Sequence, residues 1–278
     1  MSAAGYALLA VVTAAFLRII FKHLVSEGLN PYVTLAFEHL TAFFILLVIF
    51  GVPSWETCSA VTLVLLFLNC LFWIFASVLD LRAYETLDAS SAEIFNTLVL
   101  IIGVVWGIGF FNEGLSWSKG LGIAAVIGSI AYAASGNLQL HSRGALLKIA
   151  SAVLVACACI ADKYLSVNID VRWIALLGYL IPGLIYAGVA GKNLYKLPRI
   201  LVNNPALCLT PLFGAFSYYW WLLALAGGEL TVTVVIGQTV MVFVFVFEFL
   251  FLRYRELLFQ RCCTCSICLL GGLAACLG

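Results

Sequence analysis

At 278 residues, with 64% hydrophobic and only 10% charged residues and a mean hydropathy of +1.14, the chain is too apolar for water to be its main solvent. A net charge of +1, from 14 Lys plus Arg against 13 Asp plus Glu, excludes the basic footprint by which proteins hold nucleic acid. The composition is that of an integral multi-pass membrane protein whose partner is the lipid bilayer, and it does not choose between a plasma and an organelle membrane.

A hydrocarbon core about 30 Å thick takes roughly 20 apolar residues of helix, because every backbone amide must be satisfied inside the span. Ten such runs lie between polar breaks, over 4–23, 32–51, 60–81, 90–111, 119–137, 144–163, 172–191, 207–226, 231–252 and 259–277. The first run lacks the charged start of a cleaved leader and is followed by further spans, so it reads as a helix. The breaks carry turn residues, as in Glu27-Gly28-Leu29-Asn30-Pro31, Asn112-Glu113-Gly114 and Asn203-Asn204-Pro205. No loop is long enough for a soluble domain.

Ionisable groups inside apolar spans are expensive, so each is a candidate for function. In chain order, Arg18 lies in the first helix, Glu38 and His39 about two turns into the second, and Trp73 and Asp80 in the third. Glu93 and Asn96 share a face of the fourth helix at i and i+3. Arg18 is the natural counter-charge for Glu38 or Glu93, and an ion pair tying helices together is as good a reading as a ligand site. Farther along the fourth helix, Gly103 and Gly107 form a GxxxG pattern that suits internal packing or a homodimer. Asp162, like Asp80, falls near a helix end and reads as structural. The eighth helix carries Tyr218, Tyr219, Trp220 and Trp221 in a row, so at least one faces the bundle interior. With Trp73 and Glu38 these rings fit a cation–π box for an amine. In the ninth helix Gln238 is the best polar candidate, and Glu248 lies about one turn from Arg253 and Arg255. Four cysteines in the tail, Cys262, Cys263, Cys265 and Cys268, read as small hydrophobes within a helix rather than metal ligands.

Two halves of the chain match. Lys22 over Lys163, a shift of 141, puts Tyr32 on Trp173 and Leu35 on Leu176; a shift of 143 puts Ala83 on Ala226, Leu87 on Leu230 and Glu113 on Glu256. Residues 1–138 and 139–278 are therefore expected to be five-helix repeats. An odd number of crossings makes the second copy enter from the opposite face, so the expected fold class is all-α integral membrane, ten transmembrane helices as two inverted five-helix repeats.

The end of each half, Phe110-Phe111-Asn112-Glu113-Gly114-Leu115 and Arg253-Tyr254-Arg255-Glu256-Leu257, resembles the EamA-like ten-helix carriers of the drug/metabolite transporter superfamily, as does Ala83-Tyr84-Glu85-Thr86-Leu87-Asp88 in the first half. The resemblance implies a transporter rather than an enzyme, with both termini cytoplasmic. The chain departs from the family in having no Pro midway along the fourth and ninth helices, and in carrying Glu38 where an Arg is customary. Loops after odd-numbered helices, Lys148 included among their cations, hold most of the Lys and Arg, which by the positive-inside rule puts both termini outside the cytoplasm. The two orientations stand against each other.

No Gly-Lys phosphate loop and no His ligand spacing is present, so no cofactor and no ATP hydrolysis is expected. The expectation is a secondary active transporter of a small organic metabolite by alternating access, with an amine or amino acid as the candidate substrate and a solute or proton gradient as the drive. Helices 1, 3, 4, 6, 8 and 9 would line its cavity. Its substrate residues would be Arg18, Glu38, Trp73, Glu93, Asn96, Tyr218, Trp220, Trp221 and Gln238. The rival is a non-transporting scaffold or receptor component of the same fold.

Overall fold

A computed structural model describes residues 1–54, 59–134, 142–252 and 258–276, and each expected run corresponds to helix over most of its described residues. The elements are α1 (Ala3–Ser26), α2 (Pro31–Phe50), α3 (Ala60–Ala83), α4 (Ala89–Phe95), α5 (Thr97–Gly109), α6 (Trp117–Ala134), α7 (Arg143–Asn168), α8 (Val171–Ala190), α9 (Leu197–Asn203), α10 (Thr210–Gly227), α11 (Leu230–Gln238), α12 (Val240–Phe247) and α13 (Leu258–Cys276). Eight described spans are long and apolar enough to cross a membrane; α6 and α13, the fifth and tenth expected helices, fall short of that mark. Short 3-10 turns flank the surface helix α9.

The helix ends follow from local chemistry. Asn30 accepts the amides of Tyr32 and Val33 at the start of α2, with Pro31 where no amide is needed. Ser2, Ser59 and Ser142 cap α1, α3 and α7 in the same manner. Gly28 and Gly51 take positive φ (71° and 66°) where the chain leaves α1 and α2.

The fourth and ninth expected helices are each broken. Residues Asn96 and Thr239 sit at the breaks with the same backbone angles, φ −65° and ψ −10°. At each, the helical bond shortens to a three-residue step: Asn96 N donates to Glu93 O and Val99 N to Asn96 O, and Thr239 N to Ile236 O and Val242 N to Thr239 O. The break sits 143 residues farther on in the second half.

A second pair of contacts repeats as closely. Lys22 Nζ donates to the carbonyls of Tyr84 and Leu87, both at 2.8 Å, across 62 and 65 residues. Lys163 Nζ donates to those of Leu225 and Gly228, at 2.8 and 2.6 Å, across the same 62 and 65 residues. Each ammonium thus holds the carbonyl end of a helix, α3 or α10, where the helix dipole favours a cation. The offset of 141 therefore extends to the ends of α3 and α10, which pairs Ala83 with Ala224 rather than Ala226. Two extra residues in α11 relative to α4 then raise it to 143.

The main pairings join one half to the other: α1 with α10, α2 with α8, α3 with α7, α5 with α11, and α6 with α13. The last is a backbone-to-backbone crossing, since a Cβ on Gly122 or Gly271 would overlap the carbonyl oxygen of the other. Gly103 packs on Val234, and Gly107 faces Thr231 and Glu113, so the GxxxG face of α5 is covered by α11 inside the chain.

Glu113 has a defined place. Its Oε1 accepts from Leu230 N at 2.5 Å and its Oε2 from Thr231 N at 2.8 Å, capping the opening turn of α11. Glu256, matched to it in the sequence, lies outside the described residues, as do Arg253 and Arg255; Glu248 itself is 2% exposed, at the start of a wider turn over Glu248–Leu252. Glu113→Ala leaves two amides without their acceptor and is expected to lower stability by about 1–3 kcal/mol, with Glu113→Gln intermediate. Unfolding in detergent measures this, and no loss for either variant would refute the capping role.

Candidate functional site

Where the two halves meet lies a cavity of about 260 Å³. Each helix offers it one face at helical spacing: Ala10, Ala14, Leu17 and Phe21 from α1; Trp73, Ser77, Asp80 and Tyr84 from α3; Gly214, Ser217, Tyr218 and Trp221 from α10. Leu35, Glu38 and His39 come from α2, and Gly178 and Tyr179 from α8, so the second and seventh helices join the expected lining. The broken segments contribute Asn96, Val99, Val234, Gln238 and Val240.

Of the residues expected at the site, Arg18, Glu38, Trp73, Asn96, Tyr218, Trp221 and Gln238 line the cavity. Glu93 stands behind it, 1% exposed, in an ion pair with Arg18, and its Oε2 also accepts from Asn96 Nδ2 at 2.7 Å. Arg18 therefore answers Glu93, not Glu38. Trp220 is on the other face of α10, stacked on Phe216 with centroids 5.3 Å apart.

The cavity's charges are unevenly answered. Lys148, 1% exposed, pairs with Asp80, which also accepts from Ser151 Oγ at 3.1 Å. Lys148 thus lies buried in α7 and does not belong with the loop cations. Glu38, 3% exposed, lies against His39, a ring that answers its charge only when protonated, and among the described residues no Lys or Arg pairs with it; one of its oxygens accepts no hydrogen bond. It presses against the α10 backbone at Gly214, where a Cβ would overlap the carboxylate.

Aromatic rings run on from Glu38. His39 meets Tyr179 edge-on at 5.2 Å, Tyr179 meets Tyr218 at 5.8 Å, and Tyr218 meets Trp73 at 5.6 Å. His39 was marked in the sequence beside Glu38; Tyr179 was not, because its place at the site depends on the pairing of α2 with α8. Among the described residues, the indole N–H of Trp221 and the phenol of Tyr84, which border this space, have no hydrogen-bond partner.

Behind the rings sits a group misplaced by sequence reasoning. Asp162 is 0% exposed, not in reach of water at a helix end. Its Oδ1 accepts from Asn69 Nδ2 at 2.6 Å and from Tyr218 OH at 2.8 Å, and its Oδ2 accepts from Trp73 Nε1 at 3.3 Å. Its position counted from the end of α7 pointed to the surface; the neighbours that bury it, α3 and α10, are far off in sequence.

Compared with known proteins, residues 1–135 match the EamA-like transporter family, so the likeness read from the sequence is borne out over the first half of the chain. Among solved structures, a crystal structure has a similar fold, with a TM-score of 0.69 at 13% identity, covering 96% of this chain and 98% of the other. At that identity the likeness establishes the fold, and it extends across both halves. A comparison with curated proteins found no match.

Proposed function

We propose, taking as premise a chain whose first half matches the EamA-like transporter family, that it is a secondary active transporter moving a small organic amine or amino acid by alternating access. The observation that carries this reading is the charge balance of the cavity. Arg18 and Lys148 are each compensated by a carboxylate, while Glu38 faces the space beside His39, Tyr179, Tyr218 and Trp73. A cationic solute supplies the missing counter-charge and sets its ammonium against electron-rich ring faces, an attraction strongest where water is excluded. The broken α4–α5 and α11–α12 segments fit a site at the meeting of two repeats. Two five-helix halves, residues 1–138 and 139–278, exchanging packing partners would rock about this site, driven by a proton or solute gradient.

The purified protein in detergent, screened by thermal shift against amines including choline, amino acids, sugar phosphates and nucleotide sugars, tests the reading. A ligand that binds only the folded state adds about 2.7 kcal/mol at a hundred times its Kd. Stabilisation is expected from amines and then counterflow of the same compound in proteoliposomes. Stabilisation by sugar phosphates alone would move the site to Arg18 and Lys148, and silence throughout would favour a scaffold.

A further inference from the structure

We propose that Asp162 is the proton-carrying carboxylate of the transport cycle, alternately holding a proton and releasing it when a cation occupies the aromatic box. This rests on the amine-transport reading and names its coupling site.

Three observations carry it. First, Asp162 is fully buried in a membrane-spanning helix and takes part in no ion pair among the described residues; its partners are three neutral donors. A buried carboxylate without a counter-charge is costly in a bilayer, and a proton or a nearby cation removes the cost. Second, two of those donors, Trp73 and Tyr218, are themselves walls of the cavity, so a cation at their faces lies one ring away from the carboxylate. Third, one atom, the OH of Tyr218, joins Asp162 to the rings that reach Glu38 through Tyr179. A proton arriving on Asp162 replaces charge-assisted acceptors by weaker neutral ones for Trp73 and Tyr218, which loosens the box as the charge that favours a cation disappears. Cation and proton thus exclude each other, which is the requirement for exchange.

The groups facing Asp162 leave this role to it. On α3 they are Asn69, Trp73 and the thiol of Cys70; on α10, Tyr218; on its own helix, Cys159 one turn earlier and Lys163 next in sequence, whose ammonium is held by the Leu225 and Gly228 carbonyls. From α8, Tyr179 stands beyond Tyr218, with Glu38 of α2 behind it. The sequence of α5 has no ionisable side chain, and Glu93 of α4 is paired with Arg18.

Calorimetry of choline binding in buffers of different ionisation enthalpy counts the protons released. Choline has a fixed positive charge and no ammonium proton of its own, so each proton comes from the protein. Up to one proton per choline is expected from the wild type across the pH range from 5 to 8; Asp162→Asn, which imitates the protonated carboxyl, is expected to bind choline more weakly and to release none. Unchanged release in Asp162→Asn, or choline binding to the wild type without release at any pH, overturns the proposal and leaves amine transport standing. On the wild type alone, an apolar carbodiimide, which attacks protonated carboxyl groups, is expected to label Asp162 more at acidic pH and less with choline present. That experiment decides the matter if Asp162→Asn does not fold. Absence of choline binding to the wild type removes the amine reading, and acid-dependent labelling of Asp162 then still decides whether it carries a proton.

Discussion

Glu38→Gln is expected to weaken choline binding tenfold to a hundredfold while changing the binding of its neutral carbon isostere, dimethylbutanol, by less than about threefold. Contacts to a charged group are worth about 1.5–3 kcal/mol where water is excluded, which sets that range. Glutamine keeps the shape that rests against Gly214, so packing is preserved and only the charge is removed. Titrations followed by thermal shift read both ligands on the same preparation. Equal losses for the two would mean that Glu38 shapes the cavity without attracting charge, and the amine reading would fail at its central residue.

Arg18→Met is expected to be the most destabilising change at the site, by about 3–4 kcal/mol at pH 7. The substitution leaves Glu93, 1% exposed, without its cation. The carboxyl then escapes the cost of an unpaired buried charge by taking a proton. For a carboxyl of ordinary proton affinity that costs about 3.7 kcal/mol at pH 7 and about 1 kcal/mol at pH 5. The loss therefore shrinks on acidification, the reverse of what simple loss of packing would give. The double variant Arg18→Met, Glu93→Gln is expected to recover most of the stability, because removing both charges removes the desolvation cost with the attraction. Chemical unfolding in detergent at the two pH values measures this. A pH-independent loss, or a double variant no better than the single one, would show that the pair is not what holds α1 to α4.

Most of the helices were legible because hydropathy marks a span, as it does for eight of the described ones, and boundaries at Asn30-Pro31 or Gly51 are written in residues with a fixed preference for helix ends. The match of Lys22 with Lys163 was legible in the sequence, and the two side chains make matching bonds. Less legible was anything that depends on which face of a helix meets a partner. Tyr218 and Trp221 reach the cavity with Gly214 and Ser217 because these four share a face of α10, and Trp220 is turned away; a run of four aromatics does not display that choice. Asp162 and Lys148 were misjudged for one reason, that distance from a helix end was taken for distance from water. The length of α7, Arg143–Asn168, and its packing against α3 carry both residues into the interior.

The two interrupted helices have a consequence for motion. A proline interruption is permanent, because the ring has no amide with which to restore the helical bond. At Asn96 and Thr239 the amides are present and engaged one residue short, to Glu93 and Ile236. A joint made only of hydrogen bonds can be remade: by moving each amide to the next carbonyl, the chain straightens with no donor lost. Each segment thus keeps every amide donor that a straight helix would use, and at one of the two breaks the Glu93 carboxylate holds both Arg18 and Asn96.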